Sequence, residues 1–285
     1  MQLTETHIAI LLESPIRFQE YGVGIFNSVP TKSGIKKAIK KGLIFIDGQL
    51  ATTAQHIIGG EKIELFQNEN SSEFKRLKLP LEVLFEDDFL AIIYKPAGIL
   101  VSGNTFVTIT NALTQNLQKS SQQDAVKPQP IHRLDYPTSG LLLIGKTSSA
   151  ITRLSQLFED RTIQKIYHAV CIGKMTEKGI IDQSIENKTA ISKYQILKSI
   201  PSTRFNFLNL VQLSPQTGRR HQLRKHLASI GNQILGDKEY GNKNLILKGK
   251  GLYLHAFSLE FIHPFTQETI VVSKELPKKF KKIFP

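Results

Sequence analysis

The sequence predicts an α+β chain: a large mixed, mainly antiparallel sheet with helices packed on it, preceded by a small α/β unit. Three observations predict this. Across residues 81–285, short alternating or wholly apolar runs bounded by turn residues outnumber helical patterns. Residues 147–160 form the clearest helical repeat among them. A polar, aperiodic stretch at 71–80 reads as a linker behind a first unit at 1–70, where a helix precedes several short strands. A chain of 285 residues has room for one or two domains with a sizeable core.

In the first unit, Ile35, Ala38 and Ile39 repeat at helical spacing, and Gly42 ends the run. Lys36, Lys37, Lys40 and Lys41 fall on the other side, with no carboxylate among them. Such a face is either solvated or in contact with phosphate. Strand signals follow around the Asp47-Gly48 and Gly59-Gly60 turns. Beyond the linker, 81–85 and 89–94 read as a hairpin joined by Glu86-Asp87-Asp88. With no partner His or second acidic cluster, those acids read as a turn rather than a metal site. Residues 105–119 can form a helix with Ile109, Ala112, Leu113 and Asn116 or Leu117 inward. The 147–160 helix has Thr147 as candidate cap, with Ile151, Leu154, Leu157 and Phe158 on its inner face. Strands are expected at 166–172, 205–213 and 252–261, and a helix after Gly218 with Leu223, Leu227 and Ile230 on one face.

Composition narrows the function classes. The net charge of +13 favours a polyanionic partner. Without a basic amphipathic helix bearing aromatic anchors, nucleic acid is favoured over a membrane surface. No apolar run approaches the length of a membrane span. The opening residues lack a secretory pattern, and Cys171 is the lone cysteine, so a cytoplasmic protein without disulfides is expected. His221 and His226 are spaced wrongly for two ligands on one helix face, so no metal site is expected.

The segment P-I-H-R-L-D-Y-P-T-S-G at 130–140 feeds a short apolar run at 141–144. His132, Arg133, Asp135, Thr138 and Ser139 thus cluster on a loop ahead of a buried strand, a usual position for chemistry. On its own the cluster could equally be a solvated turn with an Arg–Asp pair. Likewise Tyr167, in an amphipathic strand, reads on its own as a tyrosine with a satisfied hydroxyl.

Six ordered pieces change that balance. They are Y-K-P-A-G at 94–98, H-R-L-D-x-x-T-S-G-L-L-L at 132–143, K-x-Y-x-A at 165–169, T-G-R-x-H-Q-L-R at 217–224, G-D-x-x-Y-G at 236–241 and L-H-A at 254–256. Together they resemble the RluA-type pseudouridine synthases over nearly all of residues 80–265. The first unit resembles an αL-type RNA-binding module through Ser33-x-x-x-Lys37, K-K-G-L-I-F-I-D-G-Q and G-G-E-K-I-E-L. Its usual Arg-Leu-Asp opening is replaced by Arg17-Phe18-Gln19. The resemblance implies a pseudouridine synthase fold at 81–285 that isomerises uridine in RNA to its C-glycoside, without cofactor or redox change.

By the same resemblance, Asp135 is the essential aspartate acting on a flipped nucleotide. Tyr167 contacts the base and helps move the C5 proton, and Arg224 pairs with the aspartate. Arg133 fills the space left by the base, while His132 and Leu134 shape the loop, with His132 grouped with the RNA-contacting residues. Large-subunit ribosomal RNA is the first expected substrate and transfer RNA the second, with the protein expected to be a monomer. Three departures bear on which RNA fits: Tyr136-Pro137 after the aspartate, Arg220 for a frequent threonine, and Val101-Ser102-Gly103 where His-Pro is common. Two rival functions stay open on the sequence. One is a non-catalytic RNA-binding or ribosome-assembly factor; the other is a glycoside-cleaving enzyme, which lacks an identifiable second acid.

Overall fold

The computed structural model describes residues 1–67, 77–247 and 249–285. The chain divides into two compact units, 1–76 and 77–285. Residues 71–76 of the expected linker lie outside the described residues. Its last part, 77–80, is a correction: Leu77 and Leu79 pack on the core of the second unit, and Asn116 Nδ2 donates to the Leu79 carbonyl at 2.9 Å.

The first unit runs β1 (Gln2–Ile8), β2 (Ile16–Arg17), α1 (Phe18–Tyr21), α2 (Lys32–Lys40), β3 (Ile44–Ile46), β4 (Gln49–Leu50), β5 (His56–Ile57) and β6 (Lys62–Gln67). Four strands form a sheet in the order β1-β6-β3-β4, and β2 pairs with β5. Thr31 caps α2 by accepting from the Gly34 N–H at 3.1 Å. Ile35 and Ala38 are buried with Phe18, Phe26, Ile44, Ile63 and Leu65, as the helical spacing requires. Asp47 and Gly48 both take positive φ, the geometry of a tight hairpin between β3 and β4. Strand β1 carries little apolar alternation and gave no signal in the sequence; β6, which does alternate, recruits it by pairing.

The second unit runs β7 (Val83–Glu86), β8 (Leu90–Lys95), α3 (Ile109–Asn116), β9 (Ala125–Pro130), β10 (Ser139–Thr147), α4 (Ser148–Glu159), β11 (Gln164–Ile172), β12 (Lys178–Asp182), β13 (Ile191–Ser202), β14 (Asn206–Pro215), α5 (Gln222–Ser229), β15 (Leu254–Ile262), β16 (Thr269–Ser273) and α6 (Lys278–Lys281). Its sheet follows β12-β13-β14-β11-β15-β10-β8-β7, with β16 on β15 and β9 on β10. Pairing is antiparallel except where β10 meets β15, a parallel contact at Ser139–His255 and Gly140–Ala256. The α+β architecture with a mainly antiparallel sheet is as the sequence predicts.

Residues of β8 and β10 alternate between two covered faces. Ala91, Ile93, Leu142 and Ile144 meet Ile109, Ala112 and Leu113 of α3. Leu90, Ile92, Leu141 and Leu143 meet Ala150 and Leu154 of α4. Every residue of β10 is buried, which makes it a rigid support for the loop before it. The Glu86-Asp87-Asp88 acids form a turn in which Asp87 Oδ1 accepts from the Phe89 and Leu90 N–H groups at 2.7 and 2.8 Å. Two boundaries differ from expectation. Helix α3 is shorter than 105–119, starting after Thr108, whose hydroxyl accepts from the Asn111 N–H. Ile230 is 40% exposed, because α5 ends at Ser229 and Gly231 turns the chain with a φ of +79°.

Candidate active site

Asp135 stands on the loop between β9 and β10. Four features hold that loop. Leu134, 5% exposed, is an apolar anchor in the core under α3. The Thr138 N–H donates to the Asp135 carbonyl at 3.0 Å and closes a tight turn. Lys95, fully buried at the end of β8, donates from Nζ to the carbonyls of Thr138 at 2.7 Å, Pro96 at 3.1 Å and Tyr136 at 3.4 Å. The Gly98 N–H adds a bond to the Tyr136 carbonyl at 2.7 Å. Burial lowers the Lys95 ammonium to about 8, with the Asp135 charge opposing that fall. The lysine and glycine of Y-K-P-A-G thus clamp the backbone around the carboxylate.

Behind the loop, Gly140 takes a φ of +127°, and a Cβ there would collide with the Ala256 carbonyl. Ser139 Oγ and His255 Nδ1 are 3.0 Å apart. The T-S-G and L-H-A pieces are therefore two sides of one close backbone contact.

Arg224 projects from α5 and is 4% exposed. Its Nε and Nη2 donate to the Asp237 carboxylate, each at 2.8 Å, and Nη2 also reaches Glu239 at 3.1 Å. Nη1 stands 3.7 Å from Asp135 Oδ2. The guanidinium also lies over the Tyr240 ring, 4.9 Å from its centroid. Burial lowers its proton affinity, but the hydrogen bonds and charge of Asp237, with Asp135 and Glu239, raise it further, so the cation is permanent. The helix is fixed by Gln222, whose Oε1 accepts from Thr217 at 2.7 Å and from the Arg219 N–H at 3.0 Å, and whose Nε2 donates to Ile191 at 2.9 Å.

His221, just before α5, has a left-handed φ of +56°. That backbone aims its ring at the site: Nε2 is 3.6 Å from Asp135 Oδ1, and Nδ1 bonds the Tyr240 hydroxyl at 2.8 Å. Tyr167 lies on β11 beside a register shift at Ile166/Tyr167. Burial, then the Asp135 charge, hold its phenol well above the ordinary range. Both influences favour its neutral hydroxyl.

Arg133, Leu134, Asp135, Tyr167, His221 and Arg224 line one cleft. It adjoins an open part of about 650 Å³, wide enough for a nucleotide. Arg133 is exposed there, and its side chain has no hydrogen bond or ion pair among the described residues. His132 does not line this cleft. Its Nε2 accepts the Leu143 N–H at 3.1 Å, its ring lies 4.8 Å from Phe158, and burial lowers it to about 3. The four lysines lie in the first unit, all exposed, three on α2 and Lys41 at its end.

Sequence reading missed Lys95, His221, Asp237 and Tyr240 as parts of the site. Each stood within a quoted motif, but a motif does not say which backbone or charge it faces. No group of three or more potential metal ligands occurs among the described residues. No described helix is long and apolar enough to cross a membrane.

Comparison with known proteins identifies the family. The RNA pseudouridylate synthase family matches residues 89–229. Ribosomal large subunit pseudouridine synthase D of Nitrosomonas europaea is 32% identical, covering 87% of this chain and 77% of its own. The tRNA pseudouridine synthase C of Vibrio vulnificus is 30% identical, covering 72% of this chain and 94% of its own. The solved human RNA pseudouridylate synthase domain containing 4 is 26% identical, with a TM-score of 0.57 over 70% of this chain and 90% of that one. These likenesses place the chain among the RluA-type RNA pseudouridine synthases, isomerases that act on RNA.

Proposed function

We propose that this synthase flips a uridine out of structured RNA and isomerises it with Asp135 as the catalytic residue, large-subunit ribosomal RNA being the first substrate and transfer RNA the second. The observation that carries the catalytic assignment is a carboxylate flanked by Arg224 at 3.7 Å and His221 at 3.6 Å in a cleft closed by Tyr167. The reaction breaks the bond between N1 and the ribose, turns the base, and joins C5 to the ribose. The proton lost from C5 balances the one gained at N1, so no electrons are exchanged.

Asp135 participates as the nucleophile or covalent partner, which requires its carboxylate form. Arg224, locked by Asp237, places a fixed positive charge beside it with little reorganisation. Tyr167 stacks on the base and offers a neutral hydroxyl near the proton transfer. Extruding the base costs a few kcal/mol, and Arg133, unpaired on the same loop, offsets part of this by filling the vacated stack.

The ribosomal preference rests on the relative named for the large subunit, which matches 87% of the chain and so reaches into the first unit. That unit, read as an αL-type module, holds RNA through Lys36, Lys37, Lys40 and Lys41. The transfer-RNA relative covers 72% and supports the second choice. The test is a pseudouridine map of ribosomal and transfer RNA from a deletion strain, restored with wild type or with Asp135→Ala. A site lost on deletion and regained only with wild type supports the reading. Restoration by Asp135→Ala refutes the catalytic assignment.

A further inference from the structure

The tip of the Asp135 turn carries an aromatic ring that no core uses. Tyr136 is 55% exposed, and its hydroxyl has no partner among the described residues. Its backbone, by contrast, is held at the carbonyl by Gly98 at 2.7 Å and Lys95 at 3.4 Å, inside the turn closed by Thr138. Pro137 follows and restricts the chain further. The phenol lies over Gly98, where a Cβ would come within 3.9 Å of its hydroxyl.

The ring lines the open part of the cleft with Arg133, Arg220 and Leu100. It does not line the adjoining part, which Asp135 lines together with Tyr167 and where the synthase reading puts the reacting base. A flat ring on a rigid turn, beside exposed cations and one residue from the reactive carboxylate, suits stacking on a nucleobase. We propose that Tyr136 is a stacking platform for the nucleotide next to the target uridine, and so a specificity-determining residue. Arg220 supplies charge toward the phosphates on the same rim. This inference rests on the synthase reading above.

The test uses the RNA whose uridine the map identifies, with wild type, Tyr136→Phe and Tyr136→Ala. Each is assayed on the intact RNA and on RNAs with an abasic nucleotide on either side of the target. Tyr136→Phe should keep kcat/KM within about twofold, and Tyr136→Ala should lower it about 5- to 150-fold, the range of one base–aromatic stack. An abasic nucleotide at one neighbour should cost wild type a similar factor and cost Tyr136→Ala almost nothing more. Losses that multiply independently at both neighbours overturn the platform, as does a loss that tracks a fall in Tm. A wild-type enzyme that converts no uridine in these RNAs overturns the synthase reading and the platform with it. Conversion by wild type with Tyr136→Ala unimpaired overturns the platform alone.

Discussion

Arg224 grips Asp237 through two nitrogens at 2.8 Å while standing 3.7 Å from Asp135. The shorter pair fixes the cation; the longer gap leaves the Asp135 carboxylate, the proposed catalytic group, free to react. Arg224→Met strands the Asp237 carboxylate, 3% exposed, without its partner. The expected loss is about 3–5 kcal/mol of stability in urea unfolding. Adding Asp237→Leu should recover only part, because Asp237 also accepts from the Glu239 and Tyr240 N–H groups at 3.0 and 3.2 Å. Full recovery would mean those caps contribute nothing.

Asp135→Asn keeps the shape of the turn and removes the charge. Product formation should fall by about 10⁴-fold or more, as for other residues central to a reacting group. Affinity for the RNA, measured by gel shift, should change little, since phosphate contacts dominate it. A variant that still turns over at a tenth of the wild-type rate would rule out the nucleophilic role.

Three imidazoles make the fold acid-sensitive. Burial lowers His132 to about 3, and His168 and His255 to about 4, from an ordinary 6.5. The unfolded chain therefore binds more protons than the native one between about 6.5 and those values, and the stability present above that window is lost as pH falls through it. Urea midpoints at pH 7 and pH 5 should differ accordingly, and His132→Gln should flatten the difference. An unchanged slope would show that His132 does not stay neutral in the fold.

The four lysines of the first unit should act through charge alone. Replacing Lys36, Lys37, Lys40 and Lys41 with Gln should weaken RNA binding for any sequence. The slope of log affinity against log salt should fall by about 0.7–0.9 for each phosphate that the lysines no longer neutralise. The same slope in wild type and variant would identify the face as merely solvated.

Much of this molecule was legible in its sequence where the physics is local. Thr147 caps its helix through its own side chain, and the apolar runs at 89–94 and 141–144 supply two covered sheet faces. Asp135, Tyr167 and Arg224 were visible as motif positions, and they share one cleft. What stayed hidden depends on distant partners. Lys95 looks like a surface lysine until its carbonyl acceptors come from a loop about forty residues away. His221 carries no role in the sequence, and only its left-handed backbone conformation and position show it beside Asp135. Nor does the sequence show that the Nε2 of His132 accepts the N–H of Leu143, eleven residues on.

The contact between Ser139 and His255 joins residues 116 positions apart. During synthesis, the loop bearing Asp135 emerges long before the strand that backs it, and a nascent chain lacking β15 lacks the contacts of Ser139 and Gly140 with His255 and Ala256. Distant pairings of this kind form slowly, so the backing of the loop should be completed as a late event, once β15 has paired with β10.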